Sequence, residues 1–593
     1  MRAFPLPGAR CDDGGHQGHR KARVPFRKHA GLTTWEKGYQ EPSRMLNGIS
    51  VDGERIAIRA PYAYKDAIKE LPGATWSKAR GVWQLPATPS AAHNVMQLFA
   101  GKPIPQSDSF KELASRYVNV EASNARKYAE QLPPVPNEKQ VSWLHQKQAF
   151  HYAFNMPASM LDMGMGTGKT KVVVDLVREW KCKRTLIICP NSVVRVWPKE
   201  FRKHGVGSGR IMPLEVGSVA AKRDKVAQQL KLPDASPLVV VLGYDSSWRE
   251  PMDKVLEHTE WDCVILDESH KAKSASGKRG KFIEGLYKNS THRLCLTGTP
   301  MPHDILDAFS QYRFLDPGIF GKSFTIFKRK YAELGGYKGY EVKGWQNEDD
   351  FQKRFDSICY HVSSDVLDLP ETQHIEIEVS LGAKALKHYN ELEQEFITEV
   401  KAGTVTVANA LVKGLRLHQI TSGYLPIDDD VRGTREIERI DDAKEQALFD
   451  LLEALPTLEP VVVFCLFKED IEVVKRVSEQ LGRRFDELSG RRNGLTSDAT
   501  MPEGVDTLAV QIQSGGVGID LTRAAYAVYY SVGYNSGDYE QSLRRIHRPG
   551  QTRPSFYYHL IAAGTVDVDI YAANASKASA VQRILKRYKG EIE

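Results

Sequence analysis

The sequence lacks any long apolar run. Across its 593 residues no stretch approaches the roughly 18 apolar residues of a membrane-spanning helix, and we expect no membrane association. The basic N-terminus is interrupted by Pro and Gly, with no apolar core after it, so no secretory signal is predicted. Cysteine is scarce, at seven residues with no Cys-x-x-Cys spacing, and Cys189, Cys263, Cys295 and Cys465 fall in apolar strand-like runs. That usage is typical of a reduced compartment and predicts a cytoplasmic protein.

Length and composition describe an ordinary globular protein with several domains. A chain of 593 residues is too long for one core and suggests about three or four domains. Hydrophobic residues make up 41% and charged residues 26%, which is usual for globular domains. The net charge of +7 permits a polyanionic partner but does not require one.

The first 139 residues divide into three segments. Residues 1–45 carry nine Lys/Arg against four Asp/Glu, with many Gly and Pro, and we predict a disordered basic arm. The arm would either contact DNA phosphates or be a solvated tail. Residues 46–100 are predicted to form a small α+β domain. Residues 101–139 are polar, permit helices and end in a proline-rich stretch, which predicts a helical linker.

The small domain is predicted from alternating and helical patterns. Arg55–Arg59 alternates like a strand, and the segment from Tyr62 to Leu71 permits a helix. Trp76 and the Val82–Leu85 segment then suggest a hairpin, and a closing helix follows at 91–99.

The rest of the chain alternates between strand-like and helical segments. This happens twice, over residues 140–365 and 370–580, and no low-complexity tract or short repeat interrupts it. Such alternation is typical of parallel α/β sheets. We therefore predict an α/β protein with two tandem parallel-sheet lobes and a small N-terminal α+β domain.

A glycine-rich segment at 162–170 is the clearest chemical feature of the chain. It reads Asp-Met-Gly-Met-Gly-Thr-Gly-Lys-Thr, between an apolar run and a helical-looking segment. Glycines let backbone N–H groups turn toward phosphates, and the helix N-terminus adds positive charge. We predict that Lys169 reaches the β and γ phosphates of a nucleotide and that the Thr170 hydroxyl ligates Mg²⁺. The predicted nucleotide-binding residues are Gly164, Met165, Gly166, Thr167, Gly168, Lys169 and Thr170.

Two observations qualify this loop when it is taken alone. Met163 stands where the strict pattern has glycine, six positions before the lysine. A glycine-rich turn can also have a purely structural role.

An acidic pair follows another apolar run and supports the nucleotide hypothesis. Asp267 and Glu268 come directly after Val264-Ile265-Leu266, and open α/β sheets bind ligands at the carboxyl ends of strands. Asp267 is predicted to hold Mg²⁺, and Glu268 to orient or deprotonate the attacking water. A solvated acidic turn explains the pair alone, but it does not explain the pair together with the phosphate loop. The two segments predict hydrolysis of a nucleoside triphosphate.

An ordered set of further motifs resembles the Swi/Snf-type ATPases of helicase superfamily two, over roughly residues 140–575. Gln148 lies 21 residues before Lys169, where that family has its adenine-recognising glutamine. The family's acidic box is matched by Asp267-Glu-Ser-His270. The other first-lobe matches are Leu186–Pro190 with Val196–Phe201, which lies along a DNA strand in relatives, Leu242–Asp245, Leu294–Pro300 and the family-specific Phe314–Gly321.

The second lobe continues the resemblance. Leu415–Gln419 matches a family helix, and the segment from Ser514 to Leu521 resembles the glycine block that grips a phosphate backbone. The run from Gln541 to Gln551 is similar to the family's last motif, which implies that Gln541 contacts the nucleotide and that Arg545 and Arg548 face the cleft. An arginine delivered from the second lobe stabilises charge on the γ-phosphate. Taken alone, the basic run would more simply be a solvated helix face. Taken alone, Thr297 and Thr299 would fit a role in capping a turn.

The resemblance implies two RecA-like lobes, ATP and Mg²⁺ as cofactors, and a DNA-stimulated ATPase that moves along duplex or branched DNA as a monomer. It also implies work in a bacterial cytoplasm or a phage-infected host, because no appended module follows the second lobe. Residues 46–100 are similar to the HARP domain of annealing helicases, although a generic small domain with two core tryptophans fits as well. A strand-separating helicase and a DNA-binding scaffold with a regulatory ATPase are the alternatives. RNA is excluded by the resemblance alone.

The sequence departs from the family at two places. Paired arginines are common before Asp365-Val366-Leu367, and here the positions read Cys359-Tyr360-His361. Arg544 stands where the last motif often has an acidic residue. Neither departure removes a catalytic group.

Overall fold

The structure is a computed structural model whose described residues are 47–205, 209–232, 236–272, 277–302, 304–336, 341–401, 407–429, 434–456, 458–513 and 519–575. The predicted basic arm at 1–45 and Ser514–Gly518 of the glycine block lie outside these residues. Within them, no helix has both the length and the apolar composition needed to cross a bilayer.

The N-terminal segment folds into a small α+β unit. Its four strands form an antiparallel sheet in the order β1-β2-β4-β3. The strands are β1 (Gly48–Asp52), β2 (Arg55–Arg59), β3 (Thr75–Ser77) and β4 (Val82–Pro86), and the helices are α1 (Lys65–Lys69), α2 (Pro89–Leu98) and α3 (Asp108–Ser115). Helix α4 (Val118–Arg126) follows and packs on lobe 1, with Val120 in the core of that lobe. The predicted strand, hairpin and closing helix are present, but a short 3₁₀ turn and α1 replace one helix at 62–71.

The two tryptophans of the small domain are not both core residues. Trp83 packs against the buried apolar cluster of the domain, whereas Trp76 is 50% exposed on edge strand β3. Their rings meet edge to face with centroids 5.5 Å apart. An exposed Trp76 is available to contact a partner, which a core residue would not be.

The first lobe is built on a seven-stranded parallel sheet. Its order is β13-β5-β10-β9-β6-β8-β7, and the strands are nearly continuous apolar runs because helices cover both faces. The strands are β5 (Ala158–Met163), β6 (Arg184–Cys189), β7 (Arg210–Leu214), β8 (Leu238–Gly243), β9 (Trp261–Asp267), β10 (Ser290–Thr297) and β13 (Cys359–Val362). Strands β11 (Ala332–Gly335) and β12 (Glu341–Trp345) form a separate hairpin.

Eleven helices of the described chain belong to this lobe. They are α5 (Leu144–Phe154), α6 (Lys169–Glu179), α7 (Val196–His204), α8 (Val219–Leu230), α9 (Tyr244–Ser247), α10 (Met252–Glu257), α11 (Lys278–Lys288), α12 (Ala308–Leu315), α13 (Pro317–Phe320), α14 (Phe324–Tyr331) and α15 (Glu348–Asp356).

The second lobe repeats this plan on a six-stranded parallel sheet. Its order is β14-β21-β20-β17-β19-β18. The strands are β14 (Thr372–Val379), β17 (Val461–Cys465), β18 (Phe485–Leu488), β19 (Thr507–Gln511), β20 (Tyr526–Tyr529) and β21 (Ser555–Ala562), with a hairpin of β15 (Tyr424–Asp429) and β16 (Thr434–Arg439). The helices are α16 (Ala383–Lys401), α17 (Val407–Thr421), α18 (Ala443–Ala454), α19 (Lys468–Gln480), α20 (Ser536–Leu543) and α21 (Val566–Ala575). The predicted fold class, with two parallel-sheet lobes and a small N-terminal domain, is confirmed.

The family-specific segment at 314–321 is where the small domain docks on the first lobe. A Cβ atom added to Gly318 of α13 would lie 2.2 Å from Thr88 Oγ1, and Gly321 and Gly73 approach each other backbone to backbone. Only glycine fits at these contacts, and Gly73 and Gly321 also have positive φ angles. The small domain is therefore held closely against lobe 1.

A buried ion pair joins three helices of the second lobe. Lys444 of α18 donates to Asp567 of α21 at 2.6 Å, and both side chains are at most 1% exposed. Thr421 of α17 donates to the other carboxylate oxygen at 2.7 Å. Burial opposes the charge of Asp567, but Lys444 outweighs it and keeps the pKa of Asp567 below its usual value. Burial also lowers the pKa of His418 in this cluster to about 4, so that imidazole is neutral at pH 7.

We expect Lys444→Met to lower the free energy of unfolding by about 3–5 kcal/mol, because it leaves a buried carboxylate without its partner. Denaturant titration of the full chain measures the loss. The control is Lys384→Met, which breaks an ion pair with Glu438 whose side chains are 54% and 44% exposed and costs less than about 1 kcal/mol. Equal losses in the two variants would contradict the prediction.

Candidate functional site

Three neighbouring strands of lobe 1 end at one edge and carry the predicted chemistry. Strand β10 pairs in parallel with β5 on one side and with β9 on the other. Leu296 of β10 is in register with Leu161 of β5 and with Asp267 of β9. The phosphate loop, the segment after Thr297 and the acidic pair therefore leave the sheet side by side.

The phosphate loop turns sharply between β5 and α6. Gly166 and Gly168 have φ angles of +82° and +83°, a conformation that residues with a Cβ rarely adopt. Met163, the departure from the strict pattern, is the buried last residue of β5 and has no positive φ. Because that position is still strand, a side chain there is compatible with the turn that follows.

Lys169 and Thr170 lie in the first turn of α6. The ammonium group of Lys169 donates to the carbonyl oxygens of Met163 and Gly164 in the loop. Burial lowers the pKa of Lys169, while Glu268 and Asp267 oppose that shift. The lysine is thus held at the loop and close to the acidic pair.

The acidic pair is buried at the end of β9. The indole N–H of Trp197 donates to Asp267 Oδ2 at 3.2 Å, and the Tyr244 hydroxyl donates to the Asp267 carbonyl at 3.0 Å. Burial and the neighbouring Glu268 raise the pKa of Asp267 above its usual value. Glu268 has a φ of +49°, which is uncommon for a residue other than glycine and is concentrated at functional sites.

A short hydrogen-bonded path joins the acidic pair to the end of β10. His270 Nδ1 lies 3.5 Å from Glu268 Oε2 and 3.3 Å from Thr297 Oγ1. The backbone N–H of Thr299 donates to the same hydroxyl at 3.0 Å. This geometry caps the turn after Thr297 and also connects it to Glu268, so both roles proposed for the threonines are compatible with one structure.

The arginines of the last motif reach the cleft from lobe 2. Arg545 is 1% exposed, and its Nε and Nη2 atoms have no hydrogen-bond partner among the described residues. Burial and then Arg548 lower the pKa of Arg545 to about 10, against an opposing effect of Glu268 in lobe 1. The guanidinium is still charged at neutral pH, and a buried charge without a partner is costly unless an anion pairs with it.

The neighbouring arginines also face lobe 1. Arg548 donates to the Ile519 carbonyl at 2.8 Å. Burial raises the pKa of Glu200, but His204 and other positive groups outweigh this effect and lower it. One of these groups is Arg548, which lies across the cleft in lobe 2. Arg544, the departure from the family pattern, contributes to lowering the pKa of Lys169. An arginine at this position therefore adds positive charge toward the phosphate loop.

The two lobes touch at the phosphate loop itself. A Cβ atom on Gly166 would lie 2.8 Å from Pro549 Cδ and 3.2 Å from Leu367 Cδ1. Gln541, predicted to contact the nucleotide, lies partly buried in α20. The last motif is thus packed against the loop, and only glycine leaves room for it.

The glutamine that contacts the phosphate loop is Gln146, two residues before Gln148, the predicted adenine-recognising residue. The Gln146 amide donates to the Thr167 carbonyl at 3.0 Å, and a Cβ on Gly168 would lie 2.3 Å from its Nε2 atom. The structure does not bring Gln148 to the loop, since its amide donates to Ala129 and accepts from Tyr360. Helix α5 begins at Leu144, so Gln146 is in its first turn and Gln148 points elsewhere. The Gln146 side-chain oxygen also accepts a hydrogen bond from the backbone N–H of Trp143 at 3.1 Å, so this side chain caps the start of the helix.

We expect Gln146→Ala to raise the KM for ATP several-fold and to weaken the preference for ATP over GTP, because its amide lies at the loop. The matched variant Gln148→Ala removes the same side chain two residues away and should leave both quantities unchanged. Steady-state hydrolysis of the two nucleotides measures this. The reverse outcome would restore Gln148 as the base-contacting residue.

His361 occupies one of the positions where the family often has arginines. Its Nδ1 atom lies 2.7 Å from Asp162 Oδ2, at the end of β5 just before the phosphate loop. The hydrogen bond with Asp162 raises the pKa of His361 despite partial burial. Histidine here is therefore tied to the strand that presents the loop.

The residues at this edge fit a nucleotide with a divalent cation. The Thr170 hydroxyl and the Asp267 carboxylate are the oxygen donors that Mg²⁺ prefers. The Nε and Nη2 atoms of Arg545, which have no partner among the described residues, suit a phosphate group. Its oxygens can accept hydrogen bonds from both nitrogens at once. The site therefore offers positive groups from both lobes and acidic groups from the first.

Models of two protein-domain families match the sequence of the two lobes. A model of the SNF2-related domain matches residues 116–423, and one of the helicase conserved C-terminal domain matches residues 443–550.

Several curated proteins are similar over most of the chain. Protein p41 of Acyrthosiphon pisum secondary endosymbiont phage 1 is 26% identical, covering 75% of this chain and 98% of that protein. The DNA repair and recombination protein RDH54 of Saccharomyces cerevisiae is 24% identical over 68% of this chain and 45% of its own length. The ATP-dependent helicase MG018 of Mycoplasma genitalium is 25% identical over 79% and 43%. The chain thus spans less than half the length of the yeast and mycoplasma relatives.

One solved structure is the Sulfolobus solfataricus SWI2/SNF2 ATPase core in complex with double-stranded DNA. It is 20% identical, covers 78% of this chain and 96% of that one, and has a TM-score of 0.36. The assignment therefore depends on the sequence matches.

Proposed function

The chain belongs to the SNF2-related family of helicase-like ATPases, and from that premise we propose that it hydrolyses ATP between its lobes and moves along duplex or branched DNA. The observation that carries the proposal is Arg545. Its guanidinium is buried in lobe 2, two of its nitrogens have no hydrogen-bond partner among the described residues, and Glu268 of lobe 1 raises its pKa against the effect of burial. A split ATPase site requires such a group from the second lobe.

Each residue has a role that follows from its position. Lys169 exchanges its loop carbonyls for the β and γ phosphates, and the loop N–H groups bind the same oxygens. Glu268 orients the attacking water, and Arg545 stabilises the charge that develops on the γ-phosphate. Thr170 and Asp267 would hold Mg²⁺, which would supply further positive charge to the phosphates. Both halves of the site lie on one chain, so we propose that a monomer is active.

Hydrolysis would drive movement because the nucleotide bridges the lobes. Bound ATP pairs phosphates with groups from both lobes, and its loss removes those contacts. Two surfaces that grip DNA would then shift relative to each other once per cycle.

A DNA partner is supported by charge and by the relatives. The net charge is +7, and α7 corresponds to a segment that lies along a DNA strand in the family. Contacts to phosphates carry little sequence information and weaken as salt increases. The exposed Tyr62 and Trp76 of the small domain, at 80% and 50%, suit contact with unpaired bases at a fork, as its resemblance to the HARP domain implies. The phage and mycoplasma relatives support work in a bacterial cell or a phage-infected host.

The experiment that tests this function is steady-state ATP hydrolysis with no nucleic acid, single-stranded DNA, blunt duplex, forked duplex and duplex RNA, at low and moderate salt. We expect strong stimulation by duplex or forked DNA that declines as salt rises. Equal low turnover with every ligand would overturn the translocase proposal and favour a regulatory ATPase. Strand displacement on forked and blunt duplexes, measured in parallel, distinguishes a translocase from a strand-separating helicase.

A further inference from the structure

Helix α7 contacts the acidic pair through one buried side chain. Trp197 is 1% exposed, and its indole N–H donates to Asp267 Oδ2 at 3.2 Å. Its ring packs near Phe201 with centroids 6.0 Å apart, so the indole has little freedom to turn. Asp267 is itself only 8% exposed, so water cannot easily replace this hydrogen bond.

We propose that Trp197 is a positioning residue for Asp267, which holds the carboxylate of the predicted Mg²⁺ ligand in one orientation. The inference is an extension of the proposed function. A donor on Oδ2 fixes the rotation of the carboxyl group about its Cβ–Cγ bond. Partners of this kind orient metal ligands, and their loss typically weakens metal binding by about 10–100-fold.

The same helix contacts lobe 2 on its other side. Lys199 donates to Asp498 Oδ1 at 2.8 Å and to the Ser497 carbonyl, both in lobe 2. Two residues along an α-helix are separated by about 200°, so Trp197 and Lys199 point in nearly opposite directions. Helix α7 therefore contacts lobe 2 through Lys199 and the predicted metal ligand through Trp197.

The test uses Trp197→Phe, which keeps an aromatic ring and removes the N–H donor. Mn²⁺ replaces Mg²⁺, and its binding to the full chain with saturating ADP is measured by electron paramagnetic resonance. We expect the dissociation constant for Mn²⁺ to rise about tenfold. The Mg²⁺ concentration for half-maximal ATP hydrolysis should rise by a similar factor, with most of kcat recovered at high Mg²⁺.

A tryptophan on the strand that carries Asp267 is the matched control. Trp261 is 2% exposed at the start of β9, and its indole N–H donates to the Leu256 carbonyl at 3.0 Å. It is six residues from Asp267, or about 20 Å along the strand. Trp261→Phe therefore also removes an indole N–H donor from the core of lobe 1, but far from Asp267. It should leave the Mn²⁺ affinity unchanged.

Either of two outcomes overturns the proposal. Unchanged Mn²⁺ affinity in Trp197→Phe overturns it, as does an equal loss in Trp261→Phe. If Trp197→Phe fails to fold, the benzothiophene analogue of tryptophan at position 197 keeps the shape and lacks only the N–H donor, and the same tenfold loss is expected. Because metal binding is measured without turnover, a wild-type chain that never hydrolyses ATP would refute the proposed function separately.

Discussion

Lys169→Ala will abolish ATP hydrolysis. In this structure the lysine ammonium group is held at the phosphate loop by the Met163 and Gly164 carbonyls, so it is already placed where the phosphates would bind. Removing it deletes a positive charge directed at the group being transferred, and we expect turnover to fall on the order of 10³-fold or more. Steady-state hydrolysis with saturating duplex DNA measures the loss.

The control for this variant is Lys183→Ala. Lys183 is exposed just before β6, at the opposite end of the parallel strands from the phosphate loop. Its side chain is not part of the site. Circular dichroism should show that both variants are folded. Persistent turnover in a purified Lys169→Ala chain would mean that the phosphate loop is not the site of hydrolysis.

Arg545→Ala will lower kcat by about 10³–10⁵-fold while ATP still binds, because arginines of this kind act on charge that develops in the transition state. Arg545→Lys should restore little, since an ammonium group cannot pair with two phosphate oxygens as a guanidinium does. Fluorescent-nucleotide binding and single-turnover hydrolysis separate the two effects.

Arg553→Ala is the corresponding control in lobe 2. Arg553 pairs with Glu459 at 2.6 Å, its side chain is 44% exposed, and it follows the last motif without entering the cleft. Its removal should leave kcat unchanged. If Arg545→Ala hydrolysed ATP at the rate of the control, the arginine would have only a structural role in lobe 2, and Arg548 would be the next candidate.

Features built from contiguous residues were predictable from the sequence. The phosphate loop needs glycines, a lysine and a helix start within nine residues, and each requirement is local. The two lobes were predictable for the same reason, because apolar strands alternating with helices admit few arrangements other than parallel sheets. Met163 was a doubtful point that the structure explains, since it lies within the end of β5.

The choice between Gln146 and Gln148 could not be made from spacing alone. Side chains two positions apart in a helix point in nearly opposite directions. An error of one or two residues in the helix start therefore changes which side chain meets the loop. The structure places the start at Leu144, and that boundary puts Gln146 at the loop. Trp76 was uncertain for a similar reason, because an alternating pattern does not reveal which face of a small sheet is covered.

The sequence by itself determined the fold class, the phosphate loop, the acidic pair and the identity of the last motif, since each is a property of neighbouring residues. Only the tertiary structure decided that Trp197 bonds Asp267, that Pro549 lies against Gly166 and that Arg545 is buried with two nitrogens that lack a partner among the described residues. These contacts join segments far apart in the chain. Their formation depends on how whole elements pack, and packing is a sum over many weak interactions that no short motif encodes.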